Sequence, residues 1–314
     1  MIKAEALTKN FGAHTAVDAV SFQVDSGEVL GFLGPNGAGK STTMRMLTGY
    51  LPPSSGQVII NGFNMEDNPI QAKASIGYLP ENAPSYADMT VHSFLEFVAD
   101  MRGLGGSAKK EAIEKAIETC QLSKVVSQSI DTLSKGYRHR TCFAQAILCD
   151  PSVLVLDEPT DGLDPNQKHQ MRQLIAEMGK SKAIIVSTHI LEEVEAICTR
   201  VAIIDRGRIV FNGTPAELRA KAPDAGAVVV RCNLPLEQLK AAVSGASGIS
   251  DVRPAADGAF QFVPGKGGAD GLLKCVRSIF SAKGWDFSEI YIEKGRLDEV
   301  FRVITTNDTG EVEK

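Results

Sequence analysis

The stretch Gly34-Pro35-Asn36-Gly37-Ala38-Gly39-Lys40-Ser41-Thr42 decides the fold of this chain. It fits the pattern GxxxxGK[ST], in which a glycine-rich loop wraps around phosphate groups. The largely apolar run 28–33 before it predicts a buried strand, and the run 41–47 after it predicts the first turns of a helix. Strand, glycine loop and helix in this order predict a phosphate site, because backbone N–H groups and the positive end of the helix dipole would face the same anion.

The side chains at the end of this loop would make the remaining contacts to a nucleotide. Lys40 would bridge the β- and γ-phosphates as a point charge, Ser41 would bind Mg²⁺, and Thr42 would contact neighbouring phosphate oxygens. A chance glycine turn is the alternative, and the flanking strand and helix patterns argue against it.

A second run supplies carboxylates for the same site. The continuous apolar strand 152–156 ends in Asp157 and Glu158. At the C-terminal end of a parallel strand a carboxylate can reach a metal held by the neighbouring loop, so Asp157 would bind Mg²⁺ directly or through water. Glu158, one residue further on, could polarise the water that attacks the terminal phosphate.

The composition indicates a globular protein without a membrane span of its own. The chain has 314 residues, 43% hydrophobic and 23% charged, which is enough for two domains and one large core. No run approaches the roughly 20 apolar residues that span a bilayer, and residues 1–5 lack the apolar core of a signal peptide. We therefore do not expect the chain to be a channel or permease itself. The net charge of −5 argues against a nucleic-acid partner.

The cysteines and histidines indicate no metal site. The six cysteines lack a CxxC pair, which fits free thiols in a reducing cytoplasm. Neither these cysteines nor the five histidines have the spacing of a zinc site.

The pattern of apolar residues changes twice along the first two thirds of the chain. Alternation in the first residues and over 16–24 predicts an antiparallel edge sheet beside a parallel core. From about Ala83 to Asp150 the spacing becomes helical, with a glycine-containing break at 102–107 between two helices. The parallel core then resumes, and the run 206–211 predicts a closing hairpin.

One further element makes the chain resemble a known family. Residues 133–138, Leu-Ser-Lys-Gly-Tyr-Arg, resemble the signature LSGGQ of the ATP-binding subunit of ABC transporters, and they lie just before the strand that ends in Asp157. Residues 162–164, Gly-Leu-Asp, resemble the D-loop of that family, although Asp164 could be a mere helix cap before a proline. The resemblance extends from Ile2 to about Leu218 and includes seven motifs in the family order.

The resemblance implies roles for several other residues. Phe11 would stack on adenine, although it could also be a core aromatic. Glu81 occupies the position of the Q-loop glutamine and would be a third ligand of Mg²⁺, beside Ser41 and Asp157. His189 resembles the switch histidine that contacts the γ-phosphate, although a lone histidine is more often structural. The catalytic set implied in this way is Glu158, His189 and Lys40, and Ser134 and Gly136 would face the γ-phosphate bound by a partner.

Two positions depart from the family pattern. Glu81 replaces the usual glutamine, so it would bind Mg²⁺ well but repel a γ-phosphate without the metal. Lys135 replaces the first glycine of the signature pair, and it would add charge there or point to solvent. Ser134 can still cap the helix that follows. With these departures the chain is similar to an export-type branch that includes gliding-motility-type and copper-site-maturation-type ATPases.

These observations predict an α/β fold with a second small domain. The first part, 1–218, would have a P-loop NTPase core with a mixed, mainly parallel sheet, an antiparallel β subdomain and a helical subdomain. After a linker, 219–226, the residues 227–306 predict the order βαββαβ of an α+β ferredoxin-like domain. The polar tail 307–314 is expected to be disordered.

The resemblance implies the function of an ATP-hydrolysing subunit, with ATP and Mg²⁺ as cofactors. Such a subunit drives a separate integral-membrane permease and is expected in the cytoplasm, peripheral to the inner face of the cell membrane. Export is the expected direction, and the cassettes would act as a homodimer or as a heterodimer with a related chain. Two alternatives stay open: an importer ATPase with a C-terminal regulatory domain, and a soluble ABC ATPase that does not serve transport.

Overall fold

A computed structural model describes residues 1–82, 86–222, 224–244, 246, 248–265, 271–293 and 295–306 of the chain. The chain divides into two compact units, Met1–Pro215 and Ala216–Lys314. The predicted tail 307–314 and the first residues of the predicted helical segment, 83–85, lie outside the described residues.

Strands of the first unit form two sheets. In chain order they are β1 (Ile2–Phe11), β2 (His14–Val24), β3 (Val29–Leu33), β4 (Ser55–Ile60), β5 (Phe63–Asn64), β6 (Ile76–Leu79), β7 (Val153–Asp157), β8 (Ala183–Thr188), β9 (Arg200–Asp205) and β10 (Arg208–Gly213). One sheet is antiparallel, with the order β2-β1-β4-β5. The other has the order β10-β9-β3-β8-β7-β6, and its strands are parallel except for β10, which forms a hairpin with β9.

Helices follow the strands. In the first unit they are α1 (Lys40–Leu47), α2 (Pro69–Ala74), α3 (Val91–Met101), α4 (Gly106–Thr119), α5 (Lys135–Ile147), α6 (Pro165–Gly179) and α7 (Leu191–Ile197). Helix α8 (Pro215–Arg219) begins at the last residue of the first unit and continues into the second. One hydrophobic core contains side chains from both sheets and from α1, so the helix after the glycine loop is fixed by burial of Met44 and Leu47. Helix α4 begins inside the predicted break at 102–107, because Gly105 takes the N-cap position with an extended backbone.

The parallel strands explain why distant motifs meet. Strand β3 pairs with β8, β8 with β7, and β7 with β6, and all four run in the same direction. In this register Leu33 lies beside Thr188, and Asp157 beside Ser187. The loops that follow these strands therefore emerge at one edge of the sheet, which is where such folds bind ligands.

Helix α5 is fastened to strand β6 at close range. A Cβ on Gly77 would lie 2.1 Å from the backbone oxygen of Ala146, so only glycine permits this approach. The side chain of Gln145 donates a hydrogen bond to the carbonyl oxygen of Tyr78, at 2.9 Å. The C-terminal part of α5 is thus held against β6 by close backbone packing and by a side-chain hydrogen bond.

The second unit is a two-layer α+β structure. Its elements are β11 (Val228–Arg231), α9 (Leu236–Val243), β12 (Ile249–Pro254), β13 (Ala259–Pro264), α10 (Leu272–Lys283), β14 (Glu289–Ile292) and α11 (Leu297–Thr306). The antiparallel sheet has the order β12-β13-β11-β14. Its core is formed by strand residues such as Val230 and Phe262 packed with Leu239, Val276 and Phe280 of the two helices. The elements from β11 to β14 follow the predicted order βαββαβ, and helix α11 comes after them.

The predicted fold class is confirmed. The glycine loop joins β3 to α1, the sheet of the core is mainly parallel, and an antiparallel sheet and helices α3–α5 accompany it. Short elements of the first unit were not predicted, among them β6 with four residues and α2 with six.

Candidate nucleotide site

Close backbone packing sets the path of the glycine loop between β3 and α1. A Cβ on Gly34 would lie 2.4 Å from the carbonyl oxygen of Ile204, so a side chain there would collide with β9. Gly39 has φ +108° at the start of α1, and a Cβ there would lie 2.6 Å from the carbonyl oxygen of Ala16. These two positions require glycine, which supports the reason given for the pattern.

Lys40 lies folded against its own loop. Its Nζ donates hydrogen bonds to the carbonyl oxygens of Gly34, at 2.7 Å, and Pro35, at 3.2 Å. The side chain is buried, and this burial lowers its pKa. The nearby carboxylates that oppose this shift belong to Glu158, Asp157 and Glu81. The structure therefore places the predicted lysine and three predicted acids close enough to influence one another.

Asp157 is a buried carboxylate held by two hydroxyl groups. Ser187 on the adjacent strand donates a hydrogen bond to its Oδ1. Ser41, in the first turn of α1, lies 3.4 Å from the same oxygen. A hydroxyl and a carboxylate oxygen are ligands that Mg²⁺ prefers, and side chains of one or two such residues are what it commonly takes from a protein. The residues predicted to bind Mg²⁺ in the loop and at the end of β7 thus meet, and they fit that ion.

Glu158 adopts a strained backbone conformation next to this carboxylate. Its φ is +50°, in the left-handed region that non-glycine residues rarely occupy. Its N–H donates to Ser187, both to Oγ at 3.0 Å and to the carbonyl oxygen at 3.2 Å. The neighbouring strand therefore holds the turn in which the side chain leaves the sheet.

The Glu158 carboxylate forms a pair with His189. Glu158 Oε2 lies 2.9 Å from His189 Nδ1, and the two side chains are 13% and 55% exposed. Burial raises the pKa of Glu158, and the hydrogen bond with His189 partly opposes this rise. A carboxylate with a raised pKa beside a histidine is suited to accept a proton from water.

Glu81 reaches the same region from strand β6. It lines a cavity of about 610 Å³ together with Asp157, Tyr78, Gln145 and Arg45. Among the described residues no group of three or more His, Cys, Asp or Glu side chains is arranged to hold a metal ion. Glu81 as a third metal ligand remains a prediction.

The residues 133–136 form the entry to helix α5. Ser134 is the N-cap, and its hydroxyl accepts a hydrogen bond from the N–H of Tyr137 at 3.3 Å. A Cβ on Gly136 would lie 2.3 Å from Oε1 of Gln167, so glycine allows α5 to approach α6. The predicted cap at Ser134 is present, and its exposure leaves the helix N-terminus open to an anion.

Two residues that follow the cap have contrasting surroundings. Lys135 is exposed and lies 3.0 Å from Asp161, measured from Nζ to Oδ2. His139, one turn further on, is 4% exposed, and neither ring nitrogen has a hydrogen-bond partner. Burial lowers the pKa of His139 to about 4, so the ring is neutral at physiological pH.

Comparison with known proteins gives the family. The family model described as "ABC transporter" matches residues 17–161. The chain is 36% identical over 222 residues to the "Nod factor export ATP-binding protein I" of Ralstonia nicotianae, a match that covers 69% of this chain and 68% of the relative. The chain belongs to the ABC transporter ATP-binding proteins.

Other ABC proteins extend this result. The chain is 37% identical over 223 residues to the "Probable multidrug ABC transporter ATP-binding protein YbhF" of Escherichia coli K12. That match covers 71% of this chain but only 38% of the relative, so the chain spans well under half of that protein. A solved structure described as "ATP binding subunit of ABC transporter" superposes with a TM-score of 0.66 at 30% identity, and covers 70% of this chain and 92% of the other.

For Phe11 and Asp164, the structure shows whether the alternative structural role applies. The Phe11 ring, at the end of β1, is 50% exposed and lies 5.5 Å from Nζ of Lys9, so it is not a core aromatic. Asp164 accepts a hydrogen bond from the N–H of Gln167 at 2.9 Å and caps α6, so the helix-cap role proposed as an alternative is present. Stacking of Phe11 on adenine and a contact of Asp164 across a dimer remain predictions.

In the part of the chain that the structure describes, no helix combines the length and the apolar character needed to cross a bilayer.

Ser187 is the site residue that the sequence analysis missed. It contacts both Asp157 and Glu158, and its side chain is fully buried. Its signal in the sequence was weak: a serine two residues before His189, on the strand that follows the acidic strand in the chain.

Proposed function

We propose that this chain binds ATP with its glycine loop and hydrolyses it with Glu158 as the general base. The observation that carries the proposal is the Glu158–His189 pair at 2.9 Å, beside an Asp157 carboxylate that Ser41 and Ser187 contact. Glu158 would accept the proton of the attacking water, and His189 would hydrogen-bond the γ-phosphate. A Mg²⁺ ion bound by Ser41 and Asp157, with Glu81 nearby, would neutralise phosphate charge.

ATP binding would rearrange the loop side chains. Lys40 would exchange the carbonyl oxygens of Gly34 and Pro35 for oxygens of the β- and γ-phosphates. The backbone N–H groups from 34 to 42 and the N-terminus of α1 would surround the phosphates, with Thr42 on neighbouring oxygens. Phe11, whose ring is half exposed, would stack on adenine.

The working unit would be a head-to-tail dimer, as a homodimer or with a related cassette. Ser134 caps α5 at an exposed helix N-terminus, so this end and Gly136 would face the γ-phosphate bound by the partner. Closure of the dimer would push on an integral-membrane permease, which places the chain at the inner face of the cell membrane. We propose export as the direction, because relatives carry "export" and "multidrug" in their names.

Substitution of the general base tests the proposal. Glu158→Gln keeps the size of the side chain, so ATP should still bind, while hydrolysis should fall by about 10²-fold or more. ATP should then shift the protein to a dimer in size-exclusion chromatography. Glu192→Gln, an exposed acid at the start of α7, is the matched control and should hydrolyse ATP at the parent rate. A Glu158→Gln protein with the parent rate would remove Glu158 from the mechanism.

The role of Lys40 is tested by binding. Lys40→Ala should abolish tight binding of a fluorescent ATP analogue with Mg²⁺, because the loop loses its point charge against the phosphates. Circular dichroism should show an intact fold. Unchanged affinity in a folded protein would contradict the proposed loop contacts.

A further inference from the structure

Lys135 connects two loops that serve different nucleotides in the proposed dimer. Its Nζ lies 3.0 Å from Oδ2 of Asp161, which precedes the D-loop, 162–164. The N–H of Asp161 in turn donates to the carbonyl oxygen of Glu158 at 3.1 Å. A single side chain therefore joins the entry of α5 to the turn that begins at the proposed general base.

Local geometry favours this contact. Gly162 has φ +68°, and a Cβ there would lie 2.0 Å from Nζ of Lys135 and 2.2 Å from Cε. The lysine chain lies across the glycine, and only the missing side chain makes room for it. The ion pair holds the pKa of Asp161 below its ordinary value.

Stability alone does not account for a lysine at this position. The side chains of Lys135 and Asp161 are 66% and 53% exposed, and such exposed pairs contribute about 0–1 kcal/mol. A cation in the first turn also opposes the positive end of the helix dipole, at a cost of similar size. The pair is weak enough to exchange partners, and its lysine stands where an anion would bind.

We propose that Lys135 couples the two nucleotide sites by exchanging Asp161 for a phosphate oxygen of the partner's ATP. This inference rests on the proposed function and its head-to-tail dimer. Without the partner's ATP, Lys135 holds Asp161 and restrains the turn from Glu158 to Asp161. When the partner's triphosphate reaches the N-terminus of α5, Lys135 moves to that phosphate, and the turn beside Glu158 is released. Each site then hydrolyses efficiently only when the other is filled.

The cooperativity of ATP hydrolysis by the full-length chain tests this coupling. Rates are measured against MgATP concentration, and the parent should show a Hill coefficient approaching about 2, the limit for two sites. Lys135→Met and Asp161→Asn should each lower it to about 1, and the double variant should lower it no further. Lys180→Met is the matched control, because Lys180 forms another exposed lysine–carboxylate pair, with Glu177 at the end of α6. This control should keep the parent coefficient.

A charge swap separates coupling from structural support. The variant carrying Lys135→Asp and Asp161→Lys restores an ion pair between the two loops but places an anion where the phosphate would bind. Under the proposal the swap recovers the unfolding midpoint without recovering the Hill coefficient. Recovery of both would make the pair a structural contact only and would overturn the exchange.

Two other results would also reject the coupling. One is a parent Hill coefficient of about 1, and the other is an unchanged coefficient in Lys135→Met. ATP-dependent dimerisation of Glu158→Gln is measured in parallel. Failure of that dimer would reject the proposed function itself, whereas an intact dimer with an unchanged Hill coefficient would reject only the role of Lys135.

Discussion

Ser187→Ala removes one hydroxyl that serves two residues of the nucleotide site. The hydroxyl donates to Oδ1 of Asp157 and accepts from the N–H of Glu158 at 3.0 Å. The N–H keeps a second acceptor, the carbonyl oxygen of residue 187, at 3.2 Å. Within the described part of the chain, the Asp157 carboxylate then keeps only the long side-chain contact to Ser41 at 3.4 Å, so the main loss is a donor to a buried carboxylate.

The expected magnitude follows from that loss. A hydrogen bond to a charged group contributes about 1.5–3 kcal/mol, so the free energy of unfolding should fall by about this amount. Hydrolysis should fall further than stability explains, because the Ser187 hydroxyl positions both the Asp157 carboxylate and the backbone N–H at which Glu158 leaves the strand. Misplacement of a catalytic group by about 1 Å can cost about 10²-fold, and we expect a loss of at least about tenfold in kcat.

Thr188→Val is the matched control on the same strand. Thr188 is equally buried, and its hydroxyl donates to Oε2 of another buried carboxylate, Glu193, at 2.8 Å. That carboxylate also keeps a second hydroxyl donor, Thr160. Urea unfolding and steady-state ATPase assays would be run on both variants. Equal losses of stability with equal ATPase rates would refute the reasoning, since Ser187 would then contribute packing but no positioning.

The remaining predictions concern pH and packing. Burial holds the pKa of His139 in the folded state at about 4, below its ordinary 6.5. The free energy of unfolding should therefore fall by roughly 3 kcal/mol as the pH drops from 6.5 to 4. In His139→Gln the free energy of unfolding measured with urea should depend less on pH over this range. Removing His189 takes away a group that lowers the pKa of Glu158, so the acid limb of the residual kcat–pH profile should move to higher pH in His189→Ala. Gly77→Ala should lower the free energy of unfolding by about 3 kcal/mol or more. Gly105→Ala meets open space and loses only the preference for glycine at the N-cap of α4, so it should cost about 1 kcal/mol or less.

Local signals made the main elements of the fold and site predictable. The glycine loop is predictable because its pattern, the preceding strand and the following helix are contiguous in the chain. Asp157 and Glu158 are predictable because they end a continuous apolar run. The cap at Ser134 follows from residue type and position alone. The order of elements in the second unit also follows from local patterns, but its strand order does not.

Features that depend on long-range pairing were not predictable. Ser187 becomes a site residue only because β8 pairs with β7 in a register that puts it beside Asp157. The contact between Lys135 and Asp161 spans 26 residues. The Lys40 side chain folds back onto its own loop only because the path of the loop brings the carbonyl oxygen of Gly34 close to Nζ. Strand β6 has four residues, one of them Gly77, so its alternation is too short to detect.

The close packing of α5 against β6 allows the helix to transmit motion from one end to the other. Its 13 residues form a rod about 20 Å long, with Ser134 at one end and Gln145 near the other. Because Gly77 lets the two backbones come into contact, the C-terminal end of α5 has little room to move relative to the strand that leads to Glu81. A displacement at the exposed end is therefore carried to the other end as a rigid-body tilt. The stiffness of one helix, rather than a chain of side-chain rearrangements, sets how much motion is transmitted.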